Sequence, residues 1–250
     1  MDPSVGRIQQ LLKAAQARHG KPALQRMQQA FWRLTGFERS PPPAHPMQRP
    51  THVFPGLTAT PWPDPELLPG IALLERHASR IRDELDQAQS ALQGFDDGTP
   101  HSGQWQAIHL RYGAQTVERN RSLCPFTSQL IESLPGVGEM AMVSRLAPGA
   151  HIKPHCGVNN SRYTVHLGLH VPPGCWFRVA DEVRPWHEGR CLLFDDSFEH
   201  EAMNPSQQYR EVLLVDFWHP ELTPAETQLL QQVAALLASQ RSRTQPEVAK

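Results

Sequence analysis

One stretch of the chain, residues 162–171 (RYTVHLGLHV), restricts the fold more than any other. Every second side chain in it is large and apolar, which is the period of a β-strand and not of a helix. A strand with one fully apolar face must pack that face against another layer, so the second half of the chain is predicted to be a packed β-structure. The apolar positions are Tyr163, Val165, Leu167, Leu169 and Val171.

Further short segments with strand character follow residue 104, separated by turns such as Pro148-Gly149. One short helix, over about 125–134, interrupts them. Many short strands joined by such turns are typical of a jelly roll. We therefore predict a mainly β chain with flanking helices: a double-stranded β-helix (jelly roll, cupin-like) with an N-terminal helical segment. The other predicted strands are 106–112, 139–147, 151–155, 176–179, 191–195 and 209–218.

The chain divides into four predicted segments. Residues 1–40 form a helical N-terminal extension with two amphipathic helices, and 41–64 form a proline-rich, extended linker. Residues 65–222 form the double-stranded β-helix domain, which opens on one long helix over about 65–93. Residues 223–250 form a C-terminal helix and tail. Amphipathic helices usually pack on a core, but the extension is also a candidate for dimer formation or carrier docking.

Composition excludes several classes of partner. The formal net charge of −1 shows no basic patch for nucleic acid. No run of apolar residues is long enough to span a membrane, and the first residues lack the apolar core of a signal peptide. The four cysteines form no CxxC pair and are too few for a disulfide scaffold. We therefore predict a cytoplasmic protein with reduced thiols.

Histidines point to a metal. Seven of the 13 lie between residues 151 and 219. His155 ends a predicted strand, His200 follows an acidic loop, and Arg210 opens the next strand. Ferrous iron accepts imidazole ligands and needs open positions for a bidentate oxo acid and dioxygen. An arginine can clamp the far carboxylate of that acid with two charge-assisted hydrogen bonds.

One expected ligand is missing. The common iron triad has a carboxylate two residues after the first histidine, but Gly157 occupies that position. A nearby acidic residue could replace it. The other interpretations are a solvated acidic loop, or carboxylates that fix a histidine tautomer. The acidic residues concerned are Asp195, Asp196, Glu199 and Glu201.

Four stretches resemble the aspartyl/asparaginyl β-hydroxylase family. They are LAPGAHIKPHCG (146–157), VHLGL (165–169), GRCLLFDDSFEHE (189–201) and DFWHPEL (216–222). The resemblance extends upstream to about residue 49. It implies a double-stranded β-helix that binds iron with two histidines, here His155 and His200, and has a glycine at the position of Gly157.

The resemblance also implies a co-substrate site. Arg210 and Ser144 would hold the distal carboxylate of 2-oxoglutarate, and His166 would contact the carboxylate nearer the metal. Dioxygen is the second co-substrate, and water would fill any remaining metal position. His155, His200 and Arg210 are therefore the predicted catalytic residues.

The substrate is less well defined. The family often has two basic residues before His166, and here Arg162 is present but the second position is Thr164. Arg162 is the predicted substrate-binding residue. The first hypothesis is hydroxylation of an aspartyl/asparaginyl-type residue in a peptide, protein or amino-acid-derived substrate. The alternatives are an acyl-chain 2-hydroxylase of the same superfamily and a cupin-like ligand-binding protein without turnover.

Overall fold

The structure of the chain, a computed structural model, describes residues 3–31, 42–113 and 115–244. The helix predicted near residues 32–35 and the tail predicted after residue 244 lie outside this part. No helix in the described ranges is both long and apolar enough to cross a membrane.

Two antiparallel sheets form the centre of the fold, and they confirm the jelly-roll prediction. The larger sheet has the order β1-β3-β5-β12-β7-β10, with β4 beside β3, and the smaller has the order β2-β6-β11-β8-β9. The strands are β1 (Gln93–Gly94), β2 (His101–Ser102), β3 (Trp105–Tyr112), β4 (Gln115–Thr116), β5 (Val137–Leu146), β6 (His151–His155), β7 (Arg162–His170), β8 (Trp176–Val179), β9 (Glu182–Pro185), β10 (Cys191–Phe194), β11 (His200–Met203) and β12 (Arg210–Trp218).

Helices flank the sheets. Three short 3-10 turns, at Pro22–Leu24, Pro65–Leu67 and Gln89–Ala91, accompany them. The helices are α1 (Pro3–His19), α2 (Gln25–Ala30), α3 (Gly70–Arg76), α4 (Ala78–Gln87), α5 (Glu118–Arg121), α6 (Pro125–Ser133) and α7 (Pro224–Thr244).

Strand β7 is buried on both faces. Val165 and Leu167 pack in an apolar cluster with Leu74 of α3 and Ile81 of α4, which cover the outer face of the larger sheet. The opposite face of β7 is turned toward the smaller sheet, where His166 is buried. The predicted alternation is therefore confirmed, but its polar face lines the interior of the barrel instead of facing solvent.

The single helix predicted over 65–93 is wrong. Pro69 breaks it first, because proline has no amide hydrogen to donate to the preceding turn. A second break falls at His77, where the backbone has φ −105° and ψ 10° between α3 and α4. Strands β9 (EVRP) and β11 (HEAM) were not predicted, because neither has a clear apolar alternation.

The N-terminal helices pack against the C-terminal helix. Leu24 and Met27 lie in one apolar cluster with Leu229 of α7. Arg26 reaches the buried carboxylate of Glu226 with Nη2–Oε2 and Nε–Oε1 distances of 2.6 and 2.9 Å. For residues 3–31, the packing role considered from sequence is thus observed.

Packing of α3 on the sheet makes a first prediction. Leu74 is fully buried and Leu67 is 49% exposed. We expect Leu74→Ala to lower the free energy of unfolding by about 2–5 kcal/mol through loss of burial and a cavity. Leu67→Ala, the matched control, should change it by less than about 0.5 kcal/mol. Urea unfolding followed by circular dichroism measures both, and equal losses would contradict this packing.

Candidate active site

The pairing of β6 with β11 brings two histidines together. His155, the last residue of β6, lies opposite His200, the first residue of β11. Their ring centroids are 4.1 Å apart. Two side chains separated by 45 positions in the chain (155 to 200) thereby become neighbours.

Backbone hydrogen bonds fix the tautomer of both rings. His155 Nδ1 lies 2.8 Å from the carbonyl oxygen of Lys153, and His200 Nδ1 lies 2.9 Å from that of Phe198. A carbonyl can only accept, so each Nδ1 donates and each Nε2 keeps its lone pair. Burial, with the neighbouring His155, lowers the pKa of His200 to about 3, and burial lowers the pKa of His155. Both rings are therefore neutral, which is the form that binds a metal.

Gly157 makes room for a carboxylate from another part of the chain. A Cβ on residue 157 would lie only 2.5 Å from Cγ of Asp196. The Gly157 amide donates to the carbonyl oxygen of Asp196 at 2.6 Å. Oδ1 of Asp196 is buried and has no hydrogen-bond partner among the residues that the structure describes. The carboxylate of Asp196 thus fills the space that a side chain at residue 157 would take.

The other acidic residues that the sequence analysis considered form hydrogen bonds or ion pairs with nearby side chains. Asp195 is fully buried and accepts hydrogen bonds from Gln48 Nε2 and Ser197 Oγ. Glu199 and Glu201 both form ion pairs with the arginine of β8. Neither carboxylate holds a ring of the His155–His200 pair.

Arg210 is a buried cation that forms no ion pair with any residue that the structure describes. Its side chain is among the largest fully buried in the described ranges, and its guanidinium lies over the Trp186 ring, 4.6 Å from the centroid. Nη1 donates to the Ser144 carbonyl at 3.3 Å, but Nε has no partner. Burial lowers the pKa of Arg210 to about 10, so the group stays charged at neutral pH. Because an unpaired buried charge costs several kcal/mol, this arginine is suited to an anionic ligand.

His166 and Ser144 lie near Arg210. His166 is buried and accepts a hydrogen bond at Nδ1 from Trp186 Nε1 at 3.4 Å. Burial, Arg210 and His200 all lower its pKa, which places this ring within electrostatic reach of both. Ser144 Oγ accepts from Trp105 at 3.0 Å and keeps its own hydrogen for donation.

An aromatic wall joins the histidine pair to His166. The Phe177 ring lies 5.1 Å from that of His166 and 5.9 Å from that of His200. Phe194 lies 4.8 and 5.4 Å from the same two rings. This wall limits access of water to the space between them.

Arg162 lies on the inner face of β7 but is already paired. Its guanidinium contacts Glu139, and its Nε is 3.3 Å from Oδ2 of Asp216. Burial would lower the pKa of Arg162, but the surrounding carboxylates outweigh burial and raise it. Thr164 donates to the other oxygen of Asp216 at 3.3 Å.

The predicted site residues therefore fall into two groups on the barrel interior. The histidine pair, His166, Ser144 and Arg210 share one continuous region, and Arg162 lies further along β7. Sequence reasoning missed Trp186, Phe177 and Phe194, since aromatic residues on short strands, or just after one as Trp186 is, look like ordinary core. For Asp196 the sequence did contain a signal: a glycine at residue 157 leaves space that another side chain can occupy.

A separate group of metal-ligand types lies beside α4. Ligand atoms of Asp86, His170 and Glu211 are all within 4.8 Å of one another. Oε1 of Glu211 is 2.7 Å from Nε of Arg145, so this carboxylate is committed to an ion pair. The group is distinct from the His155–His200 pair.

Comparisons with known proteins identify the family. The profile of the family described as Aspartyl/Asparaginyl beta-hydroxylase matches residues 75–220. Aspartyl/asparaginyl beta-hydroxylase of Homo sapiens is 37% identical over 199 residues, 73% of this chain and 26% of the human protein. Ornithine lipid ester-linked acyl 2-hydroxylase of Rhizobium tropici is 35% identical over 174 residues, 65% of this chain and 62% of that protein. The chain thus spans less than two thirds of the length of both relatives.

Among solved structures, similarity is more distant. An oxidoreductase of the 2OG-Fe(II) oxygenase family from Burkholderia pseudomallei aligns with a TM-score of 0.41 and 15% identity, over 59% of this chain and 80% of that one.

The contact between Gly157 and Asp196 makes a second prediction. We expect Gly157→Ala to lower the free energy of unfolding by about 1–3 kcal/mol, because the new methyl group must displace a packed carboxylate. Gly94→Ala is the control, since a Cβ there meets nothing within 4 Å. The double variant Gly157→Ala/Asp196→Ala should lose less unfolding free energy than the two single variants added together, by at least about 0.5 kcal/mol. Thermal unfolding measures this coupling, and simple additivity would contradict the contact.

Proposed function

The chain belongs to the aspartyl/asparaginyl β-hydroxylase family, and on that premise we propose that it is an Fe(II)- and 2-oxoglutarate-dependent hydroxylase. The observation that carries this proposal is the pairing of two neutral histidines with a buried, unpaired arginine in one barrel. A protein that only bound a metal would not need such an arginine, which argues against a cupin-like module without turnover.

His155 and His200 would hold the iron. Two neutral imidazoles with free Nε2 atoms are suitable ligands for a divalent first-row metal, and two protein ligands leave several positions open. Bound iron supplies the site for dioxygen and the redox chemistry of the reaction. Asp196, beside Gly157, is the carboxylate positioned to accept a hydrogen bond from a water in that region.

Arg210, Ser144 and His166 would hold 2-oxoglutarate. The guanidinium of Arg210 and the hydroxyl of Ser144 are donors for the distal carboxylate, which would supply the missing counter-ion. His166 lies closer to the histidine pair and would contact the carboxylate nearer the metal. Each charge-assisted hydrogen bond contributes roughly 1.5–3 kcal/mol, enough to select a dicarboxylate over a monocarboxylic oxo acid.

In the overall reaction, 2-oxoglutarate, dioxygen and a substrate C–H are converted to succinate, carbon dioxide and the hydroxylated substrate. One oxygen atom enters succinate and the other enters the product. The protein would contribute orientation and exclusion of water, with Phe177 and Phe194 as the apolar wall.

For the substrate we propose an aspartyl/asparaginyl-type residue of a peptide, protein or amino-acid-derived molecule, next to Arg162. Similarity to the acyl 2-hydroxylase of Rhizobium tropici supports a lipid acyl chain as the second candidate. We also propose a cytoplasmic location, because all four cysteines are free thiols in the structure.

A spectroscopic experiment tests the iron and co-substrate together. Purified chain mixed anaerobically with Fe(II) and 2-oxoglutarate should develop a weak metal-to-ligand charge-transfer band in the visible range. His200→Ala should abolish it by removing one of the two ligands. Absence of the band from wild-type chain with iron shown to be bound would overturn the proposal.

The role of Arg210 gives a separate prediction. Arg210→Ala should weaken 2-oxoglutarate binding by about 100-fold, corresponding to roughly 3 kcal/mol, while metal loading stays normal. Arg210→Lys keeps the charge without the bidentate geometry and should lose less. Arg190→Ala, at an exposed arginine that pairs with Glu75, is the control. Calorimetric titration measures binding, and a fall in metal loading would contradict the assigned role.

A further inference from the structure

The substrate end of the barrel can be located from strand register. On β12, Arg210 is at one end and Trp218 at the other, and Trp218 lies opposite Arg162 of β7. His166 lies opposite Leu214, between these ends. If 2-oxoglutarate occupies the Arg210 side, as the proposed function requires, the substrate must approach from the Arg162 side. Arg162 and His166 are four residues apart, roughly 13 Å along the strand.

The cation at this end is already surrounded by carboxylates. Arg162 contacts Glu139 directly and lies 3.3 Å from Asp216. Asp196 is a third carboxylate close enough to raise its pKa. One guanidinium thus faces three carboxylates, whereas at the opposite end of the barrel Arg210 has only the carboxylate of Glu211 near enough to raise its pKa and forms no ion pair within the described residues.

Both acceptors and donors are left without hydrogen-bond partners here, within the described residues. The buried acceptors are Oδ2 of Asp216 and Oδ1 of Asp196, and the buried donors are Nε of Arg162 and Nε1 of Trp218. Thr164 already donates to Asp216. Burial, with the nearby carboxylates of Asp196 and Glu139, raises the pKa of Asp216 to about 7 although Arg162 opposes it. This is the response expected where negative charge is in excess.

We infer that this end of the site takes a substrate group that donates hydrogen bonds and carries no negative charge, so that the chain accepts an asparaginyl amide and rejects an aspartyl carboxylate. This inference rests on the proposed function. An amide matches the buried acceptors with its two N–H donors. A carboxylate would offer no donor to these acceptors and would add a like charge beside three carboxylates, which is how a site excludes a near-isosteric competitor.

Two peptide pools test the inference directly. Both are randomised at the flanking positions and differ only in a central Asn or Asp. With the full chain, Fe(II), 2-oxoglutarate and dioxygen, the Asn pool should stimulate succinate formation at least tenfold more than the Asp pool. Mass spectrometry should find the added oxygen on Asn. Equal stimulation, preference for Asp, or no response to Asn would each overturn the inference.

A charge-removing variant tests the cause. Glu139→Gln keeps the shape but frees part of Arg162, so the Asn-to-Asp ratio of stimulation should fall at least fivefold. Glu182→Gln, at an exposed carboxylate paired with Arg184 on β9, is the matched control and should leave the ratio unchanged. An unchanged ratio in Glu139→Gln would overturn the explanation, because a merely structural role would alter rates for both pools alike.

Failure of the inference and failure of the proposed function are distinguishable in the same samples. Substrate-independent succinate formation and 2-oxoglutarate binding report the proposed function alone. If both are present and the pools rank in the wrong order, only the inference fails. If both are absent with iron bound, the proposed function itself fails.

Discussion

The antiparallel pairing of β6 with β11 is the interaction on which the site depends. It sets His155 opposite His200, and side chains in a strand alternate between faces, so a slip of one residue would turn one ring away from the other. The same two segments are joined just beyond the strands, where the Gly157 amide donates to Asp196. The ring pair and the adjacent carboxylate are therefore consequences of a single register. Short strands such as these hold it only because the larger sheet and its helices bury the opposite side of the barrel.

The two ends of the larger sheet differ in charge. On its central strands β12 and β7, one end presents Arg210, which forms no ion pair within the described residues, and the other presents Arg162 paired with two carboxylates. A dianion would be favoured at the first end over the second. His166 lies between them as a neutral ring, since burial and two neighbouring cationic or titratable groups keep its pKa well below the usual value. Under the proposed function, such a gradient would orient a co-substrate with its anionic tail toward Arg210.

Much of this could be predicted from sequence, and the exceptions have physical causes. Strands 151–155 and 176–179 were predicted with the bounds observed, because their alternation is local. The prediction of one helix over 65–93 was wrong because the apolar residues keep a helical spacing on both sides of Pro69 and His77. A break that leaves the buried face intact does not change this spacing, so the sequence pattern gives no sign of it. The partners of Arg162 were beyond sequence reasoning. Glu139 reaches it from a bulged part of β5, where the β12 register shifts between Val215 and Phe217, and bulges have weak sequence signals.

At Gly157 the sequence lacks the carboxylate of the common iron triad, but the fold brings a carboxylate to that place from another segment. In the common triad the carboxylate is attached two residues after the first histidine, so its position follows from the strand itself. Here the carboxylate beside residue 157 comes from Asp196, 39 positions later in the chain (157 to 196). Its placement depends on the β6–β11 register and on one backbone hydrogen bond. A substitution that restored a carboxylate at residue 157 would therefore compete with Asp196 for the same space, and the glycine is the residue that lets the fold supply this group from the neighbouring turn.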